Sequence, residues 1–422
     1  MILLTVYVVL VFLYSLVSKR LESTIVTAPV IFTVAGMVGI YLNPDIPGRE
    51  NSLELFLHVA EMGLVLLLFV DASRTDLKLL KSIRGLPFRL LSTGMLLTIL
   101  AGSLGALVIF RQLTIWEAGI LAAILAPTDA GLGQVIVNSP AVPVKIRQAL
   151  NVEAGLNDGL SVPFLLFFIA LAGAAEGPRL GQFLLEQLGF GAGVGVVIGL
   201  TGGWLLEKAD RREWIEGAWQ QIALVTLPLL CALASEAAGA SMFIASFIAG
   251  LSVQRCFKGV HMKSVEFAEQ WGHLLNLSVF FLFGLLVARA WPELDWTYAV
   301  YAVLSLTVVR IVPVALALIG SRLSAVTVLF MGWFGPRGLA SIVLGLVYLE
   351  QETQHPGETT IKLAVLATVL LSTFAHGFSA LPGTRLYARR IRTLPPGAPE
   401  FVDSEGVPAE TVSERGSRSP AE

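Results

Sequence analysis

Three carboxylates, Asp129, Glu153 and Asp158, fall within a short stretch of the chain whose surroundings are otherwise apolar. The first lies in Ala126-Pro127-Thr128-Asp129-Ala130-Gly131. The other two lie in Asn151-Val152-Glu153-Ala154-Gly155-Leu156-Asn157-Asp158-Gly159, after a short Pro-containing connection. An ionised side chain at the centre of a bilayer helix costs roughly 2.5–3.5 kcal/mol even on the most lenient scale. Acidic groups kept at that cost serve something positive: a proton, a basic side chain, or a hard cation that takes oxygen ligands.

The elements that must hold these groups are membrane helices. The chain has 422 residues, is 55% hydrophobic and 14% charged, and has a mean hydropathy of +0.75. Its apolar segments lack the alternation of barrel strands, so an all-helical polytopic membrane protein is expected. The net charge of -2 and the absence of basic runs give no support to nucleic-acid binding. Cys231 and Cys256 lie in or next to apolar segments and suggest neither a disulfide framework nor a metal centre. The first apolar segment has no basic flank before it and no small-residue cleavage site after it, so it reads as a retained span.

Thirteen apolar segments are long enough to span: 1–18, 25–42, 52–73, 87–110, 115–137, 147–174, 187–206, 218–237, 239–254, 271–290, 298–319, 324–349 and 361–383. The division inside 218–254 is set at Ser235-Glu236-Ala237-Ala238-Gly239. On this count the odd-numbered connections carry sixteen Lys and Arg and the even-numbered ones five. The positive-inside rule then puts the N-terminus outside and the C-terminus in the cytoplasm. Residues 391–422 are rich in Pro, Ser, Glu and Arg and read as a disordered cytoplasmic tail. The short connections leave no room for a nucleotide-binding domain, which argues against ATP as the energy source.

Two spans are interrupted at membrane depth. Span 5 breaks at Pro127-Thr128-Asp129-Ala130-Gly131 and span 12 at Gly335-Pro336-Arg337-Gly338. Proline removes a backbone donor and clashes with the preceding turn, and each break also carries a charge. Their separation by seven spans suggests two six-helix repeats, about 1–174 and 218–383, joined by a span at about 187–206. The inferred topology makes them inverted. Paired broken helices of this kind mark a midplane ion site in secondary transporters.

Charge accounting then suggests roles. Arg337 needs a carboxylate, and Glu153 is the suggested structural partner. Asp129 faces half-helix dipole ends and can balance a positive one. Asp158 is left without a fixed cation. It can therefore hold either a proton or a monovalent cation, and competition for that one group couples opposite fluxes. Thr128 and the freed carbonyls of the break can add oxygen ligands. A plainer reading pairs Asp129 and Asp158 with intramembrane bases, Arg310 among them, although no partner for Arg310 is evident. Glu61, Asp71, Glu236 and Asn276 read either as cavity-lining groups or as interhelical hydrogen-bond partners. His58, His273 and His376 read either as pH sensors or as satisfied packing residues.

Together, Thr128-Asp129, Glu153 followed by Asn157-Asp158, and Gly335-Pro336-Arg337-Gly338 resemble the monovalent cation/proton antiporters, specifically the NhaP-type sodium/proton exchangers, over about residues 1–390. The resemblance implies thirteen spans, a homodimer, and a core that moves against a dimerisation domain; the short connections and the lack of a targeting extension suggest a prokaryotic plasma membrane. It implies that Asp158 binds both ion and proton, that Thr128 is a ligand, that Glu153 pairs with Arg337, and that Asn157 lies close to Glu153. It implies no cofactor and no enzymatic activity. Asn157, rather than Asp, resembles the electroneutral branch. Two departures stand out: Ala130 where many relatives have Pro, and Ala154 where relatives often have Ser, a possible ion ligand. A passive cation channel and an intramembrane aspartyl hydrolase with Asp129 and Asp158 as its dyad are the competing classes.

Overall fold

The computed structural model describes residues 2–21, 24–42, 50–74, 85–173, 181–183, 185–257, 262–350, 356–395 and 397–401. Among these residues the secondary structure is helical throughout, with no strand. The helices are α1 (Ile2–Leu21), α2 (Ala28–Leu42), α3 (Glu50–Arg74), α4 (Leu86–Ile109), α5 (Ile115–Ile124), α6 (Ala130–Val137), α7 (Val144–Ala172) and α8 (Gly191–Arg211). They continue as α9 (Gly217–Ala238), α10 (Met242–Cys256), α11 (Met262–Ala290), α12 (Trp296–Ala317), α13 (Ala325–Trp333), α14 (Leu339–Glu350) and α15 (Glu358–Ile391). Eight helices among the described residues are long and apolar enough to cross a membrane, and α5, α10 and α14 lie among the shorter apolar ones.

The chain is a multi-pass membrane protein, and each apolar segment of the sequence corresponds to one helix or to one broken pair. Span 5 divides into α5 and α6, and span 12 into α13 and α14, at the residues that the Pro, charge and Gly pattern marks. The division between α9 and α10 also falls as expected. Gly239 ends α9 in the left-handed conformation (φ 61°), and the Ser241 hydroxyl caps α10 by accepting the Ile244 N–H.

Packing sorts the helices into two groups. In the first, α2 and α3 lie against α11 and α10, and α8 lies along α10. Gly195, Gly199 and Gly203 bring α8 onto the carbonyls of Ala245, Ala249 and Val253, an approach that side chains would block. In the second, α4 to α7 and α12 to α15 surround the two breaks. Buried aromatic and aliphatic residues fill that bundle at one end, where Phe330 stacks on Tyr387 with ring centroids 4.0 Å apart.

The first residues of the expected tail, 391–422, fall among the described residues. The helix α15 does end at Ile391, but the chain remains packed as far as Phe401, with Ala398 and Glu400 buried. A composition poor in large apolar groups gave no sign of this, because Glu400 and Lys145 attach the segment through hydrogen bonds. The remainder of the predicted tail, 402–422, lies outside the described residues.

Candidate functional site

The site is built where the two broken helices cross. The Asp129 N–H donates to the Pro336 carbonyl across the two breaks at 2.7 Å. The Asp129 carboxylate then caps two helices at once. Its Oδ1 accepts the Leu132 N–H of α6 at 3.0 Å, and its Oδ2 accepts the Leu339 N–H of α14 at 2.7 Å. A helix N-terminus carries about half a positive charge. One buried anion therefore answers two converging positive ends, which extends the expected role of Asp129 from one dipole end to two.

The opposite charge answers the negative ends. Arg337 is fully buried, and its Nη1 donates to the carbonyls of Ala126 and Pro127, just past the C-terminal end of α5. Its backbone N–H donates to Ser372 Oγ at 2.6 Å. The Trp333 carbonyl, at the end of α13, lies 2.8 Å from His376 Nε2. Its Nδ1 lies 3.1 Å from both the hydroxyl and the carbonyl oxygen of Ser372. His376 is thus a satisfied packing residue that ties α15 to both sides of the span 12 break.

Glu153 does not pair as the sequence suggested. Its Oε1 lies 2.7 Å from Arg310 Nη2 of α12, and both side chains are buried. Arg337 is spent on backbone carbonyls instead. Gly335 explains the choice, because a side chain there would overlap the Arg310 guanidinium. The break in span 12 therefore admits Arg310 to Glu153 while it turns Arg337 toward span 5. The sequence paired Glu153 with Arg337 and named no partner for Arg310, and only the three-dimensional crossing brings Arg310 to Glu153.

Asn157 lies one turn along α7 from Glu153. Its Nδ2 donates to Thr128 Oγ1 at 2.7 Å, which ties α7 to the span 5 break, and its Oδ1 is buried without a hydrogen bond. Glu153, Thr128, Asp129 and Asn151 line a cavity of about 20 Å³ next to the crossing, room for one water molecule.

Asp158 stands apart from these neutralised groups. Its carboxyl makes no hydrogen bond or ion pair among the described residues, and its Oδ1 is fully buried. Its charged neighbours are Asp129 and Asp71, both acidic. Asp71, on α3, lies against Gly155 one turn before Asp158, and Phe247 of α10 lies over Gly159. Asp158 is thus carried by the bundle and faces the other helix group. Asn276 of α11 approaches Gly131 from that same group, with its own Oδ1 buried and unpartnered. The sequence marked Asp71 and Asn276 only as polar residues in apolar spans, and their proximity to the crossing required the fold. Glu61 is buried, whereas His58 is exposed.

Among the described residues Arg310 pairs with Glu153 and not with Asp129 or Asp158, and backbone donors hold the Asp129 carboxylate. A shared-proton dyad also lacks its geometry, because both Asp129 oxygens are engaged elsewhere.

Comparison with known proteins agrees with this architecture. The family model described as "Sodium/hydrogen exchanger, transmembrane" matches residues 6–383, and the chain belongs to that family. A Schizosaccharomyces pombe Na(+)/H(+) antiporter is 26% identical over 312 residues, 65% of this chain and 65% of that protein. The K(+)/H(+) antiporter NhaP2 of Shewanella sp. (strain MR-4) is 25% identical over 277 residues, 64% of this chain and 47% of that protein. Each match thus spans under two thirds of the relative's own length. Among solved structures, the sodium proton antiporter MjNhaP1 from Methanocaldococcus jannaschii at pH 8 shares the fold. It has a TM-score of 0.71 and 20% identity, with coverage of 89% of this chain and 99% of that one.

Proposed function

We propose that this protein is a secondary antiporter that exchanges a monovalent cation for protons across the membrane. The observation that carries the reading is the Asp158 carboxyl, which has no hydrogen-bond or ion-pair partner among the described residues, whereas Glu153 and Asp129 have theirs. The other charges are balanced in place: Asp129 by two helix ends, Glu153 by Arg310, and Arg337 by carbonyls. Asp158 is therefore free to take a proton or a cation, one at a time. Its acidic neighbours Asp71 and Asp129 favour a positive occupant.

The cation site we propose is made of Asp158 and Thr128, with Asn157 holding Thr128 in place and Asp129 adding charge without giving up its backbone bonds. The unpartnered Oδ1 atoms of Asp158 and Asn157 supply oxygen of the kind that hard cations take. Ala154 offers no hydroxyl here, so selectivity rests on few side-chain ligands. The curated relatives are named for sodium and for potassium, and either ion, or lithium, suits this donor set. Because one carboxyl serves both substrates, one cation exchanges for one proton. The bundle that carries Asp158 moves against the α2, α3, α8, α10 and α11 group, exposing the carboxyl to each side in turn. We place the protein in a plasma membrane as a homodimer, with the N-terminus outside and the C-terminus in the cytoplasm.

The test is proton movement in proteoliposomes on addition of sodium, potassium or lithium across a pH series. Exchange of one of these ions, with an equilibrium insensitive to membrane potential, is the expected result. Cation flux that continues without any proton gradient or countermovement marks a channel and overturns the proposal.

A further inference from the structure

Beyond α15 the chain folds back over one end of the bundle. Residues 397–401 form a tight turn there, closed by Ala398 N–H to the Pro395 carbonyl and Phe401 N–H to the Ala398 carbonyl, each at 2.9 Å. Glu400 is 1% exposed. Its Oε1 accepts the N–H of Ser324, the N-cap of α13, at 2.8 Å and the hydroxyl of Thr327, in the first turn of α13, at 2.9 Å. The Thr327 hydroxyl lies 3.1 Å from the Tyr387 hydroxyl of α15. One residue away, the Pro399 carbonyl accepts from Lys145 Nζ at 2.9 Å, in the first turn of α7. Phe401 packs on the apolar cluster that includes Ile146, Phe330, Tyr387 and Ile391.

Three helices are joined at this point, and each leads to the crossing. The helix α7 carries Glu153, Asn157 and Asp158. The nine-residue half-helix α13 ends at the break that contains Arg337. The helix α15 holds that break through Ser372 and His376. A half-helix of nine residues has little hold on its own position, because isolated helices this short are marginal. Its far end is fixed by the crossing. Its near end is fixed by an acidic residue from outside the repeats, whose charge suits the N-terminus it caps.

We propose that residues 397–401 are a strap that fixes the near ends of α7 and α13, and that Glu400 is a positioning residue for the span 12 break and hence for the ion site. The strap touches neither ion nor proton. It acts by keeping α13, and with it the Gly335–Gly338 backbone, in register against Asp129.

Two truncations test this, one after Thr393 and one after Val402. Both lack 403–422, so the difference between them belongs to the strap. Glu400→Ala and Lys145→Met remove the two anchors singly. Backbone hydrogen exchange over 324–339 is the first readout, and it requires no transport. Against the truncation after Val402, loss of the strap quickens exchange on the order of tenfold across 324–339, including the Leu339 amide at the crossing. Transport is the second readout and rests on the exchange function proposed above. Strap loss raises the cation KM about threefold or more, with a smaller change in kcat. Exchange and KM both within twofold of the control overturn the proposal. So does quickening confined to 324–328 with 335–339 and KM unchanged, which marks a local cap with no hold on the break. If even the full chain moves no protons, the transport reading fails, and the hydrogen-exchange result decides the strap by itself.

Discussion

The Asp129 carboxylate fills the space that a side chain on residue 338 would need, with Oδ2 lying where the Cβ would fall. Leu339, the next residue, gives its backbone N–H to that same oxygen. The glycine and the acid are thus one device. Gly338 lets the N-terminus of α14 come within hydrogen-bond reach of a residue that already caps α6. Two broken helices can cross at membrane depth only if their freed backbone groups find partners inside the protein. A single acidic side chain does this for both, and Arg337 does it for the carbonyls on the other side.

Gly338→Ala is therefore expected to be severe for its size. The added methyl forces the Asp129 carboxylate off one or both helix ends at a cost of about 1–3 kcal/mol. A lowered melting temperature in detergent, together with loss of exchange, is the expected outcome. Gly193→Ala in α8, where the space is open, is the control and holds the wild-type melting temperature. Equal melting temperatures for the two variants count against the crossing described here.

Asp158 and Asp129 separate on the same logic. Asp158→Asn removes a carboxyl with no partner, so the variant keeps its fold and its melting temperature while exchange disappears. Asp129→Asn leaves one of two N–H donors facing an amide NH₂, and an unsatisfied buried donor costs about 1–3 kcal/mol. It loses stability as well as transport. Thermal unfolding beside proteoliposome exchange reads both quantities. Retained exchange in Asp158→Asn contradicts the mechanism outright.

How far the sequence exposed this arrangement depended on how local each signal was. Both breaks were legible, because Pro, a charge and Gly coincide inside long apolar runs. So was the exceptional status of Asp158, which follows from charge accounting along neighbouring spans. Pairing across the fold was not. The sequence offered Arg337 for Glu153 and no partner for Arg310, and the space at Gly335 that admits the Arg310 guanidinium is something no spacing reveals. Asn157 shares a helix face with Glu153, yet its amide is drawn to Thr128 by the neighbouring break. The anchoring of 397–401 was hidden for another reason: hydrogen bonds to helix ends leave no hydropathy signature.

The reassigned ion pair gives a quantitative test. Breaking a buried pair by removing one member costs about 3–5 kcal/mol, since the other charge is stranded. Arg310→Ala should carry that cost, and Glu153→Leu added to it should recover much of it. Arg337→Ala should also destabilise, but through unpaired carbonyls at Ala126 and Pro127, and Glu153→Leu should not rescue it. A double-mutant cycle from melting data measures the two couplings. A larger coupling of Glu153 to Arg337 than to Arg310 reverses the assignment.

Glu400 makes the strap pH-dependent in a direction that can be worked out. Burial pushes its carboxyl up, but hydrogen bonds from the Ser324 and Glu400 backbone N–H groups and from the Ser324 and Thr327 hydroxyls outweigh that and hold it below the usual carboxylate range. A depressed carboxyl contributes stability that is fully present above its unfolded value, about 4.3 for glutamate. That contribution is lost as the pH falls through the folded value. The strap therefore stays docked through neutral and mildly acidic pH and releases only once the pH falls below the ordinary carboxylate range. Tryptophan emission from Phe401→Trp reports the release. Its midpoint is expected in that acidic window and is expected to vanish in a Glu400→Gln background, where nothing titrates. A midpoint near neutrality means that a different group governs docking, and the charge on Glu400 is then not what holds α13 in place.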